Sequence, residues 1–121
     1  MSDSTNINIP GGSTSLTKIL RQDEAGNGGG FHEYAITDLS GRNLFAGITF
    51  QKGPIKSAGM NGCQNEDLIG VVIDRLECFQ AGECAYGENH VALALLYQAL
   101  SVLNERTADR KTRGVEGTNE L

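Results

Sequence analysis

The stretch NEDLIGVVIDRLECFQ, residues 65–80, decides the fold. Apolar side chains recur at positions 68, 69, 72, 73, 76 and 79, the spacing of one wide helical stripe. Asn65 followed by Glu66 and Asp67 reads as an N-cap with acid in the first turn, and Ala81-Gly82 ends the helix. A second helix is predicted from about Gly87 to about Arg110. Its stripe holds Val91, Ala94, Leu95, Ala99, Val102 and Leu103, widened by Leu93, Leu96 and Leu100. Two helices joined by a short turn form an antiparallel hairpin. One partner helix cannot cover so wide an apolar surface, so the remainder must pack on the preceding segment or on another subunit. Gly114 and Gly117 then break the chain into a short tail, Val115 to Leu121.

The first half of the chain has a different period. Phe31 to Thr37 (FHEYAIT) alternates Phe31, Glu33, Ala35 and Thr37 with His32, Tyr34 and Ile36, and is aromatic and β-branched, as strands are. Ser40-Gly41 marks a turn, after which Leu44, Ala46, Ile48 and Phe50 share one face of a second strand. Gly53-Pro54 ends that strand because proline cannot donate to a ladder, and Ile55 to Ser57 suits a third short strand. Leu16 to Gln22 (LTKILRQ) is amphipathic and fits either a strand or one helical turn. Residues 1–15 are mostly Ser, Thr, Asn and Gly and read as a flexible N-terminal segment. The expected class is α+β, a small antiparallel β region over 16–60 followed by an antiparallel two-helix hairpin and tail over 61–121, in one compact domain.

At 121 residues such a chain buries a modest core, and self-association would help its stability. A formal charge of −5 argues against general nucleic-acid binding, and no apolar run approaches a membrane span. Met1 to Gly12 has neither the basic start nor the apolar block of a signal peptide, which points to the cytosol. Cys63, Cys78 and Cys84 are spaced by 15 and 6 with no CxxC pair, and His32 and His90 stand alone. No metal site is expected from that set; free thiols packed as small apolar groups are.

The cations are unevenly placed. Arg106, Arg110, Lys111 and Arg113 put four of the ten within eight residues, and with Glu105 and Asp109 between them segment 105–113 is +2, which leaves −7 for the rest. Arg106 and Arg110 are i,i+4 neighbours, with Arg113 beside Arg110. Two guanidinium forks on adjacent turns suit a pyrophosphate, and equally suit a solvated helix end complementing its dipole. Phe79 and Asn89 flank the interhelix turn. An aromatic face stacks on a base and an Asn amide pairs with an adenine edge; the alternative is a core cap and an exposed first-turn residue. Asn89 and Arg106 lie 17 residues apart on one helix, about 26 Å at ~1.5 Å per residue. A single nucleotide reaches both only if they come from different subunits. No GxSxG, HExxH, Walker loop or helix-opening GxGxxG is present, and the run Gly26 to Gly30 precedes a strand, so no catalytic residues are assigned and binding is favoured over turnover.

These residues resemble a family. Phe50 to Pro54 (FQKGP), Asn61 to Leu68 (NGCQNEDL), Ile73 to Gln80 (IDRLECFQ), Glu88-Asn89 and Arg106 to Thr118 (RTADRKTRGVEGT) resemble the phage Thoeris anti-defence proteins of the first type. Those share a helical-hairpin domain with a class of phage anti-CBASS proteins. The resemblance covers about residues 31–119. It implies a sponge without enzymatic activity or cofactor, acting in the cytoplasm of the infected bacterial host. Such a sponge holds cyclised ADP-ribose signals made by TIR proteins, and in some members cyclic di- or trinucleotides, intact. It implies that Phe79 stacks on adenine, that Asn89 hydrogen-bonds to it, and that Arg106 and Arg110 of a neighbouring chain hold the phosphates, with Arg113 adding charge. It also implies a homo-oligomer, a dimer building a hexamer, with no DNA, RNA or membrane partner. The interhelix turn departs from the family pattern FQ-GPF-CREN: Glu83 stands for proline, Cys84 for the aromatic residue and Gly87 for arginine. The rival readings are an enzyme that hydrolyses the same nucleotides, a helix-turn-helix DNA binder and a purely structural oligomer.

Overall fold

A computed structural model describes residues 5–7 and 16–118. The chain divides into two compact units, residues 1–63 and 64–121.

The first unit is a four-stranded antiparallel sheet in the order β1-β2-β3-β4: β1 Thr5–Ile7, β2 Thr17–Arg21, β3 Glu33–Asp38 and β4 Leu44–Thr49. β3 and β4 fall where alternation put them. The ambiguous Leu16–Gln22 stretch is a strand, because Ile19 and Leu20 find register partners Ile36 and Ala35 on β3. Thr5–Ile7 corrects the expectation of a flexible start: these residues pair with Arg21 to Ile19 on the far edge of β2. The rest of that expectation lies outside the described residues. Ala35 and Thr37 are the buried positions of β3, while on the other face the Tyr34 and Phe50 rings meet edge to face at 5.7 Å.

The described loops that follow β2, β3 and β4 are held by their own polar side chains. The Asp38 carboxylate accepts from Ser40 Oγ at 2.8 Å and Asn43 Nδ2 at 2.5 Å, and Gly41 takes the positive φ of 78° that the turn requires. These donors pull the Asp38 carboxyl from its ordinary 3.8 down to about 2, Asn43 contributing most and Ser40 next. The Asp23 carboxylate receives the His32 and Glu33 main-chain N–H groups across the glycine-rich loop. The loop after β4 is laced by two amides. Gln51 Nε2 donates to the Gly59 carbonyl at 2.7 Å while its Oε1 accepts the Asn61 N–H. Asn61 in turn accepts the Lys52 N–H and returns a hydrogen bond to the Lys52 carbonyl, both at 2.8 Å. A parallel bridge between Phe50 and Cys63 closes this loop. Within it, Ile55–Ala58 (α1) is one helical turn and not the third strand that its β-branched start suggested. Pro54, with φ −64°, is preset for a helix entry, and the Gly59 N–H returns to the Ile55 carbonyl.

The second unit is the hairpin: α2 Asn65–Gln80 and α3 Gly87–Arg113. The N-cap is Gln64 and not Asn65. Its N–H is accepted by the Asp67 carboxylate at 2.8 Å, three residues on, and Glu66 and Asp67 suit the positive helix end. Ile73 and Leu93 are the buried apolar side chains of the pair, and the Tyr97 hydroxyl donates to Glu77 from one helix to the other. The Glu77 carboxylate holds the Tyr97 phenol above its ordinary value, chiefly through that hydrogen bond. Val71, Val72, Val91, Leu95 and Val102 remain exposed, so the surplus apolar surface read from the sequence stands uncovered on the single chain. α3 persists three residues past the predicted end and stops at Gly114, whose φ of 76° is left-handed. Among the described residues no helix is long and apolar enough to cross a membrane.

Candidate functional site

The hairpin distributes the predicted site residues between its two ends. Phe79 sits in the last turn of α2, half-buried, with the Arg75 guanidinium over its ring at 4.9 Å. Asn89 lies in the first turn of α3, and its Nδ2 donates to the Cys84 carbonyl at 3.1 Å. That bond fixes the amide plane against the turn of residues 81–86, so an aromatic face and an oriented amide flank the same turn. The cation over the ring is a residue that sequence reasoning missed. The signal was present: Arg75 and Phe79 are i,i+4 on a continuous helix.

The arginines occupy the opposite end of α3. The helix runs unbroken through 27 residues, so Asn89 and Arg106 are indeed about 26 Å apart in one chain. The three arginines differ in state. Arg106 is exposed and makes no hydrogen bond or ion pair among the described residues. Arg113 is exposed and its Nε bonds to Asp109 at 3.0 Å, one turn back. Arg110 is 7% exposed, which spacing could not reveal.

Arg110 is buried because the tail folds back over it. Gly114 reverses the chain, and the Val115 N–H reaches the Arg110 carbonyl at 3.0 Å. The Thr118 N–H then bonds the Val115 carbonyl at 3.1 Å. Arg110 Nη2 donates to the carbonyls of Val115, at 2.9 Å, and Thr118, at 3.1 Å. Its Nε faces the Glu116 carboxylate at 3.5 Å. The guanidinium thus works first as the internal bracket of the segment Val115–Thr118. Spacing on the helix gives its neighbours along α3 but not a return of the chain that depends on one left-handed glycine.

Between the two ends, a groove of about 430 Å³ lies along α3, lined by Tyr97, Leu100, Ser101, Asn104, Glu105 and Ala108. None of the five predicted residues lines it. The structure therefore sets Phe79 and Asn89 on either side of one turn and Arg106, Arg110 and Arg113 in the last turns of α3, but does not join the two sets within one chain.

The family model of the Acb2/Tad1 hairpin domain matches residues 44–108. Phe79, Asn89 and Arg106 fall inside that span; Arg110 and Arg113 lie beyond its end. The chain is also 43% identical over 112 residues to Thoeris anti-defense 1 of Bacillus phage SBSphiJ7, an alignment that takes in 93% of this chain and 75% of the relative. With the helical hairpin of α2 and α3 in place and a match of that extent, the chain belongs to the Thoeris anti-defence 1 family, within the wider group that carries the Acb2/Tad1 hairpin.

Proposed function

We propose that this protein disarms a bacterial immune response by binding a cyclic nucleotide signal and holding it intact in a seam between two copies of the chain. The signal is a cyclised ADP-ribose made by a TIR protein, and the same chemistry extends to the cyclic di- and trinucleotides of CBASS. Phe79 stacks on the adenine of one copy's ligand and Asn89 reads its edge, while Arg106, supported by Arg110 and Arg113, holds the phosphates from the neighbouring copy. The assembly is a homo-oligomer, a dimer building a hexamer, at work in the cytoplasm of the infected host.

One observation carries this reading. Asn89, across the turn from Phe79, and the exposed, unengaged Arg106 stand about 26 Å apart on one unbroken helix, too far for a single nucleotide within one chain. An antiparallel pairing of hairpins brings one copy's turn to the other copy's helix end. The exposed Val91, Leu95 and Val102 offer apolar surface for such a pairing. The donor set suits binding: stacking, amide and guanidinium groups grip a nucleotide.

The test is a thermal shift against cyclic ADP-ribose isomers and cyclic di- and trinucleotides, followed by heating of the complex and analysis of the released ligand. A binder of the folded form raises the melting temperature, by about 2.7 kcal/mol of added stability at a hundredfold excess over Kd, and returns the signal unchanged. Arg106→Ala should lose the shift while keeping the wild-type melting temperature of the free protein. Hydrolysed product would favour an enzyme, and no shift with any member of the panel would refute the proposal.

A further inference from the structure

Arg75 stands on the stacking face itself. Its guanidinium carbon lies over the Phe79 ring, 4.9 Å from the centroid. Arg75 is exposed and makes no hydrogen bond or ion pair among the described residues. The carboxylates nearest it along α2, Asp74 and Glu77, are one and two positions away, spacings that do not face each other on a helix, and Glu77 is taken by the Tyr97 hydroxyl. A guanidinium with no anion to bond therefore rests on the ring one turn along the helix. The face it covers is turned to the surface, since the group over it belongs to an exposed residue. An adenine that stacks on that face meets Arg75.

We propose that Arg75 is the second jaw of an adenine clamp: the base enters between the Phe79 ring and the Arg75 guanidinium, which moves outward and stacks on the other face of the base. This rests on the reading that Phe79 stacks on the ligand's adenine. The distances permit it. A planar base sits about 3.5 Å from each neighbour, so ring and guanidinium must stand about 7 Å apart around it. From 4.9 Å that is an opening of about 2 Å, a small movement for a long, exposed side chain with no hydrogen bond to break. The guanidinium suits the place twice over. It is planar and weakly hydrated, so it stacks on a base as it stacks on a ring. It gives up its cation–π contact with Phe79 and makes an equivalent one with the purine, so little is lost in the exchange. A ring alone holds a base by one face; a base clasped on both faces is drier and leaves more slowly. Lysine in this place would keep the charge but not the plane.

The experiment measures the affinity of the full chain for cyclic ADP-ribose isomers by calorimetry, for wild type, Arg75→Ala, Arg75→Lys and Phe79→Leu, with the free-protein melting temperature of each. Arg75 is exposed, so its two variants should melt within about 3 °C of wild type. Arg75→Ala should weaken binding about three- to thirtyfold, and Arg75→Lys should stay at least about twofold weaker than wild type. Tighter binding by Arg75→Ala overturns the clamp in favour of a side chain that only shields the ring. A loss under about threefold in Arg75→Ala overturns it by leaving Arg75 outside the site. Wild-type affinity in Arg75→Lys overturns it in favour of a point charge. Phe79→Leu that binds as wild type does, or wild type that binds no panel member, refutes the parent reading and the clamp with it. Loss of binding in Phe79→Leu with none in Arg75→Ala refutes the clamp alone.

Discussion

Replacing Gly62 with alanine should unfasten the loop that follows β4, and the size of the effect follows from three distances. A Cβ at this position would stand 2.4 Å from the Phe50 carbonyl carbon, 2.5 Å from the Phe50 oxygen and 2.6 Å from the Thr49 oxygen. Non-bonded carbons settle at about 3.5–4.0 Å, and all three neighbours are main-chain atoms with no rotamer to change. The backbones must part by about 1 Å. Parting breaks the two hydrogen bonds of the Phe50–Cys63 bridge, Cys63 N–H to the Thr49 carbonyl at 2.8 Å and Gln51 N–H to the Cys63 carbonyl at 2.9 Å. Those bonds contribute about 1 kcal/mol each, and relieving the overlap costs about 1–3 kcal/mol more. Alanine returns about 0.4–1 kcal/mol by restricting the unfolded chain, which leaves a net loss of about 2–4 kcal/mol. Urea unfolding followed by far-ultraviolet circular dichroism reads this as a midpoint lowered by about 1–2 M at a slope of ~2 kcal/mol per M. Gly30→Ala is the matched control: φ is −79° and nothing lies within 4 Å of the added methyl, so it should match or slightly exceed wild type. A Gly62→Ala midpoint within about 0.3 M of wild type, ~0.6 kcal/mol at that slope, would refute the packing argument.

Leu93→Ala, in the middle of the hairpin, removes most of a buried side chain and should cost about 2–4 kcal/mol in the same assay, whereas Val91→Ala, on the exposed face, should cost under about 0.5 kcal/mol to the isolated chain. A Val91→Ala loss as large as that of Leu93→Ala would mean the face is covered. The Asp38 carboxyl is depressed in the folded state, so its contribution is fully present above the ordinary value of 3.8 and fades as pH falls toward about 2. A carboxyl titration by NMR should find its midpoint near 2 in wild type and closer to the ordinary value in Asn43→Ala. A wild-type midpoint near 4 would contradict the hydrogen-bonded turn.

Much of this was readable from residue order. The period-2 segments FHEYAIT and LFAGITF gave β3 and β4, and the 3.6-residue stripes gave α2 and α3 within a few positions, because in these segments local pattern and tertiary burial agree. The errors fall where local pattern is weak or context decides. Thr5–Ile7 has no periodicity of its own and becomes a strand only because β2 offers an edge. Ile55–Ser57 is β-branched at its start, but the proline before it and the glycine after it set a helical turn. The site divides along the same line. Phe79 and Asn89 flank a turn that the glycine and the helix stops announce, so their placement at one end of the hairpin was legible. The burial of Arg110 was not, because it depends on the tail reversing at Gly114 and placing two carbonyls and a carboxylate around a guanidinium that helix geometry alone leaves pointing into water.

The laced loop after β4 carries a chemical consequence for the lifetime of the molecule. Asn61-Gly62 is the dipeptide most prone to spontaneous deamidation, in which the glycine nitrogen attacks the asparagine side-chain carbonyl and ammonia leaves. Here the Asn61 amide is engaged at both ends by Lys52, and the Phe50 main chain crowds Gly62, so the cyclic intermediate has no room to form in the folded state. The resulting aspartate would set a carboxylate oxygen against the Lys52 carbonyl where a donor stood. Deamidation at Asn61 is therefore gated by opening of this loop: the same clasp that shapes the loop preserves the residue that makes it.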